Sequence, residues 1–161
     1  MRQAPERVLG LALLDTSARP DTPEAIENRK KAMALSETDF QAIIDALMPK
    51  LILPAKLTEA ALTGLISDMA HSVGQPAFMR QQTAIMGRID SRPHLDKITC
   101  PTLVLCGRDD LITPVEVHEE MVAAIRGARH VVIEQCGHLS SLDQPKQVAA
   151  AMQAWLMDVK P

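Results

Sequence analysis

The sequence predicts an α/β fold: about three parallel strands with flanking helices, interrupted by a four-helix insertion. Three observations carry this. Short apolar runs at 8–14, 101–106 and 130–134 stop at turn-forming residues, as strands of a buried parallel sheet do. The stretch 101–142 reads strand, acidic loop, helix, strand, Gly-His loop, which is a β-α-β unit. Residues 19–92 carry helical periodicity throughout.

Met1–Arg7 is short and polar and reads as the end of a helix. Val8–Leu14 follows as a continuous apolar run and is expected to be a strand, ended by Asp15-Thr16-Ser17. As the outermost of three parallel strands it would leave one edge unpaired, a hazard for association. Asp21-Thr22-Pro23-Glu24 starts the first inserted helix. Ser36–Asp39 starts the second, whose apolar face is Phe40, Ile43, Ile44 and Leu47, up to Pro49. Thr58 is expected to cap the third, with Ala61, Leu62, Leu65, Ile66 and Met69 at helical spacing. Gly74 and Pro76 separate a fourth, Ala77–Arg88.

Pro101–Cys106 ends at Gly107, and Arg108-Asp109-Asp110 follows where ligands and chemistry collect in open α/β sheets. Thr113-Pro114-Val115-Glu116 has the form of a capped helix start. Val117, Met121, Val122 and Ile125 share one face, with Gly127 as the stop and His118 read as an exposed helix residue. His130–Glu134 is the next strand, followed by Gly137-His138. The last helix begins near Asp143-Gln144-Pro145, with Val148, Met152, Trp155 and Leu156 facing the core. Parallel strands would deliver an acid and a histidine to the same sheet edge. There an Asp accepting Nδ1–H fixes the imidazole tautomer and frees Nε2 as a base.

The stretches GRDDLITP and CGHLSSLDQP resemble the C-terminal part of α/β-hydrolase-fold serine hydrolases. The resemblance implies that Asp110, rather than Asp109, is the catalytic acid and His138 the catalytic histidine of a Ser–His–Asp triad. It implies a partial hydrolase core at 1–18 and 93–161 and a helical cap, or lid, at 19–92. APERVLGLALLDTSARPD resembles the segment just after the helix that follows the family's nucleophile elbow, so the chain looks like the family's lid plus acid-and-histidine half. No G-x-S-x-G is present: Ser17, Ser36, Ser67, Ser72, Ser91, Ser140 and Ser141 all lack that setting. The implied activity is hydrolysis of a carboxylic ester or related acyl bond, absent from this chain alone. Lactonases, C–C bond hydrolases, dehalogenases and cofactor-free haloperoxidases share the fold, which leaves the reaction class open. Two alternatives stand beside it. One is a non-catalytic fragment that self-associates or complements another chain through strand 8–14. The other is an unrelated α/β binding module in which Asp110 and His138 are structural and far apart.

Composition bounds the rest. At 161 residues, 47% apolar and 23% charged, the chain suits about one globular domain. A net charge of −3 argues against nucleic acid or an anionic membrane as partner, and no apolar run approaches the ~20 residues of a membrane span. The expected partner is a small-molecule ester or acyl substrate, with a homodimer through the first strand as a further option. Cys100, Cys106 and Cys136 are odd in number and lack metal spacing, so they read as free thiols in a cytoplasmic setting without leader or cofactor. His71 and His94 have no ligand-spaced partners, and no metal is assigned. Arg80, Arg88 and Arg92 could fork onto a substrate carboxylate, but surface solvation is the default reading for each.

Overall fold

The computed structural model describes residues 1–159; Lys160 and Pro161, the end of the expected core segment 93–161, lie outside the described residues. The chain forms two compact units. The first comprises Met1–Ala18, Lys50–Leu53 and the chain from Ser91 on; the second comprises Arg19–Pro49 and Pro54–Asp90.

The first unit is built on a three-stranded parallel sheet in the order β1 (Leu11–Leu14), β2 (Thr102–Gly107), β3 (Arg129–Ile133). Leu11 pairs with Thr102 and Leu14 with Leu105; Leu103 pairs with Arg129 and Gly107 with Ile133. Every residue of β2 is buried, which is why this strand reads as one unbroken apolar run. The pleat sends alternate residues to opposite faces. Val104, with Leu11 and Leu13, joins Met121 and Ile125 in one core cluster. Leu103 and Leu105, with Ala12 and Leu14, join Ile133, Val148 and Trp155 in the other. The helix α5 (Val115–Ala124) covers the first face and α7 (Pro145–Leu156), preceded by the single turn α6 (Ser140–Asp143), the second. Leu103 and Leu105 are wholly buried, and such a leucine contributes about 1.5–3 kcal/mol relative to an exposed one.

The strand expected at 8–14 is shorter than the apolar run. Pro5–Arg7 forms a 3₁₀ turn, Val8 N–H closes on Pro5 O at 3.1 Å, and Leu9 is 56% exposed. Pairing starts only at Leu11, whose N–H reaches Pro101 O, because the partner strand begins there. At the other end, Trp155 faces the core as expected but Leu156 is 52% exposed.

The second unit contains α1 (Pro23–Ser36), α2 (Phe40–Leu51, whose last two residues belong to the first unit), α3 (Ala60–Val73) and α4 (Gln75–Met86). Thr22 caps α1, its Oγ1 accepting Ala25 N–H at 3.1 Å. Asp39 caps α2 by accepting Ala42 N–H at 2.9 Å. Helix α1 packs on α4, where Arg29 spans Asp21 and Gln82. Phe40 meets Phe78 at a centroid distance of 5.7 Å. Three boundaries differ from expectation. Helix α2 runs through Pro49 to Leu51, and α4 starts two residues earlier than read. Helix α3 starts at Ala60 with no side-chain cap, so Thr58 does not cap it. Within α3, Ile66 is buried while Leu65 and Met69 are 47% and 48% exposed, so the apolar stripe is only partly covered.

Candidate active site

All three strands run the same way, so their C-terminal ends share an edge, and each end carries a functional candidate. After β2 the chain turns through Arg108–Thr113. Arg108 N–H donates to Ile133 O and Asp109 N–H to Cys136 O at 2.9 Å, which stitches this turn to the segment leaving β3. Asp109 itself is exposed, and Asp110 turns inward, 2% exposed. Asp110 Oδ1 accepts the N–H groups of Ile112 (2.8 Å) and Thr113 (2.9 Å), an Asx turn. Its Oδ2 accepts Thr113 Oγ1–H at 2.8 Å and meets His138 Nδ1 at 2.9 Å. One carboxylate thus shapes its own loop with one oxygen and holds an imidazole with the other.

Burial pushes the Asp110 carboxyl upward, but the bonds from His138 and Thr113 outweigh it and hold the group below the ordinary carboxylate range. An ionised Asp110 requires a proton on Nδ1, so proton exchange falls to Nε2. The His138 side chain is 20% exposed and that of Asp110 not at all: the acid is screened and the base is reachable.

The loop carrying His138 is fixed along its length. Gly137 N–H donates to Asp143 Oδ2 at 2.7 Å, and Leu139 N–H to Leu51 O at 2.8 Å. A Cβ at Gly107 would overlap the carbonyl oxygens of Cys136 and Gly137, so only glycine lets the end of β2 lie this close to the loop. Asp15, at the end of β1, accepts both the N–H (3.2 Å) and the Oγ–H (2.5 Å) of the fully buried Ser140.

Two expectations for this region are corrected. Thr113 does not cap α5; the helix has no side-chain cap, and the Thr113 hydroxyl is turned onto Asp110 instead. His118 is not exposed. It is fully buried, its Nε2 accepting Thr16 N–H at 3.0 Å and its Nδ1 lying 3.3 Å from Pro114 O. Those partners define a neutral imidazole with the proton on Nδ1, and burial lowers its pKa accordingly. Thr113, Asp15 and Ser140 were not singled out as site residues from sequence. Asp15 carries the same signal that found Asp110, an acid just past the end of an apolar strand.

Arg88 pairs with Asp21 at 3.6 Å and Arg92 with Glu120 at 3.6 Å. His71 Nε2 meets Gln41 Oε1 at 2.7 Å. Cys106 and Cys136 are buried and Cys100 is half-buried, none of them in a disulfide; burial pushes the Cys106 thiol up to about 12, which leaves it protonated and unreactive. Among the described residues, no cluster of three or more His, Cys, Asp or Glu side chains could hold a metal ion. Among them, too, no helix is long and apolar enough to cross a membrane. An open groove of about 930 Å³ runs along β1, lined by Leu11, Leu13, Ser91, His94 and Met121 among others, and includes neither Asp110 nor His138.

Residues 2–151 match the model of the alpha/beta hydrolase family. A thermophilic esterase from Thermogutta terrifontis superposes with a TM-score of 0.92 at 33% identity, over 99% of this chain and 60% of that one. A pimeloyl-[acyl-carrier protein] methyl ester esterase from Neisseria meningitidis is 28% identical over 152 residues, 91% of this chain and 48% of that protein. A putative carbamate hydrolase, RutD, from Serratia proteamaculans is 34% identical over 88 residues, 55% of this chain and 33% of that protein. The chain spans about half the length of the curated relatives it matches, or less.

Proposed function

The chain belongs to the alpha/beta hydrolase family, and from that premise we propose that it supplies the acid and the histidine of a serine hydrolase acting on a carboxylic ester or related acyl bond. The observation that carries this is the 2.9 Å pairing of Asp110 Oδ2 with His138 Nδ1, made by a buried carboxylate whose other contacts fix its orientation. In that role Asp110 holds the tautomer and stabilises the imidazolium, while Nε2 takes the proton of a serine hydroxyl and later returns it to the leaving group. No serine of this chain occupies a G-x-S-x-G turn, so the nucleophile and its oxyanion-hole donors come from residues beyond these 161. The relatives include two proteins named as esterases and one named as a putative carbamate hydrolase, which supports the substrate class. The helical unit Arg19–Pro49 with Pro54–Asp90 serves as the lid that excludes water and selects the acyl group. Cysteines outside any disulfide fit the reducing cytoplasm as its compartment.

The test joins the nucleophile-bearing N-terminal part of the Thermogutta esterase to this chain and assays short aryl esters. The chimera turns over; His138→Ala abolishes turnover, and Asp110→Asn lowers kcat by about 10⁴-fold. The chain alone gives only the uncatalysed rate. A folded, inactive chimera would sink the assignment, as would His138-dependent hydrolysis by the chain alone.

A second reading is favoured by one feature. β1 is an edge strand, paired among the described residues only with β2, and a groove runs beside it. On that reading the chain associates through β1, with itself or with a complementary chain.

A further inference from the structure

We infer that Asp15 is a positioning residue for the His138 imidazole: its carboxylate holds Ser140, two residues beyond His138, and so fixes the histidine loop from the end of β1. This rests on the reading of His138 as the base of the site. The three strand ends then have distinct tasks. β2 leads to the acid that meets the ring, β3 leads to the ring, and β1 supplies the group that keeps the ring's loop in place.

The geometry is over-determined around Asp15. Its backbone sits at φ +47°, in the left-handed region; among the described residues only Gln135 is the other non-glycine there, at the end of β3. Asp tolerates that region better than most residues, but holding it still costs energy and persists only where the surroundings enforce it. Here they do. Asp15 N–H donates to Leu105 O at 2.9 Å, and the next N–H, of Thr16, is taken by the buried His118. The carboxylate that results is aimed at Ser140 and grips both donors of that residue with Oδ2 alone. Its Oδ1 is buried with no hydrogen-bond partner among the described residues.

A half-satisfied buried carboxylate is a costly tether, since such groups are stabilised only when fully bonded. A neutral side chain could anchor Ser140 without that cost. What the carboxylate adds is two acceptor bonds from one oxygen, stronger for being charged, on a loop that must hold a ring within hydrogen-bond reach of Asp110. Releasing the Ser140 side chain and N–H would remove the tie from β1 to this loop and leave its C-terminal side to Leu139, whose N–H reaches Leu51 O and whose carbonyl accepts Leu142 and Asp143 N–H.

The test reads the ring itself in the full chain, by two-bond ¹H–¹⁵N correlation of the ¹⁵N-labelled protein at a pH where the imidazole is neutral. In the parent protein His138 shows the single Nδ1–H tautomer that Asp110 imposes. Asp15→Ala and Ser140→Ala move it toward the Nε2–H form that free imidazole prefers. Asp15→Asn, which keeps an accepting oxygen, restores most of the Nδ1–H form. The Trp155 indole signal reports that each variant is folded. Where Asp15→Ala fails to fold, Ser140→Ala and Asp15→Asn decide. Asp110→Asn separates the two layers of the argument. If it leaves the tautomer unchanged, the site reading falls and the role of Asp15 with it. If it changes the tautomer while folded Asp15→Ala and Ser140→Ala do not, the role of Asp15 alone is overturned.

Discussion

Thr113 shows how much of this site depends on a single hydroxyl. Its Oγ1 donates to Asp110 Oδ2 at 2.8 Å and lies 3.4 Å from His138 Nδ1, so it braces the same oxygen that holds the ring. Thr113→Val keeps the shape and removes the donor. Asp110 retains the Ile112 and Thr113 N–H groups and His138, so the loss is one charge-assisted bond, about 1.5–3 kcal/mol. Asp110 also lies below the ordinary carboxylate range, so its contribution to stability is fully present above about pH 4 and is lost as pH falls through its folded value. The variant should have a lower urea midpoint at pH 7 and a smaller acid limb that begins at the same pH, set by the unfolded carboxyl, and ends at higher pH. An unchanged midpoint and an unchanged limb would mean that the hydroxyl braces nothing.

At the scale of elements, α5 ties the edge strand to the site. Buried His118 accepts Thr16 N–H just past β1, a bond that only neutral Nε2 can make. Its pKa is pushed down by burial, against the Pro114 carbonyl and the Asp110 charge that favour its cationic form; His130 and His138 add to the lowering. A base with a depressed folded pKa stabilises fully above its unfolded value, ~6.5, and less and less as pH falls from there through the folded value. Urea midpoints should therefore fall between pH 7 and 5. His118→Gln, which stays neutral, should flatten that slope, leaving the part due to His130, which has the same sign. A parent-like slope in a folded His118→Gln chain would count against the latch. The element scale is also where the sequence was most and least legible. β2, β3 and the residues leaving them could be read because a short unbroken apolar run and the glycine beyond it mark both strand and exit. His118 was misread although 118, 121, 122 and 125 stand at i, i+3, i+4 and i+7, the spacing of one helix face. A polar residue on an apolar face looks exposed until the backbone donor it satisfies is known, and Thr16 is 102 residues away. Thr113 differs for another reason: its hydroxyl is taken by Asp110, only three residues earlier, a competitor as local as the cap itself.

For the molecule as a whole, the unpaired side of β1 carries the sharpest consequence. Leu11 and Asp15 direct their N–H groups to Pro101 and Leu105 across the ladder. By the two-residue period of a strand, Ala12 and Leu14 then direct theirs away from β2, toward the open edge. A parallel edge with outward donors and acceptors, beside a groove of about 930 Å³, is a template for a further strand. If β1 recruits a second copy, light scattering gives a mass above the 17.6 kDa monomer that rises with concentration. Tm rises with it, because association stabilises the folded state by mass action. Ala12→Pro removes one outward N–H and leaves the ladder to β2 intact, since proline is tolerated where a strand's N–H faces outward. It should return the chain to a monomer with a concentration-independent Tm. A parent chain that is monomeric across the whole concentration range would remove self-association from the account. The edge would then be left to a complementary chain that brings both a neighbouring strand and the serine which Asp110 and His138 are arranged to activate.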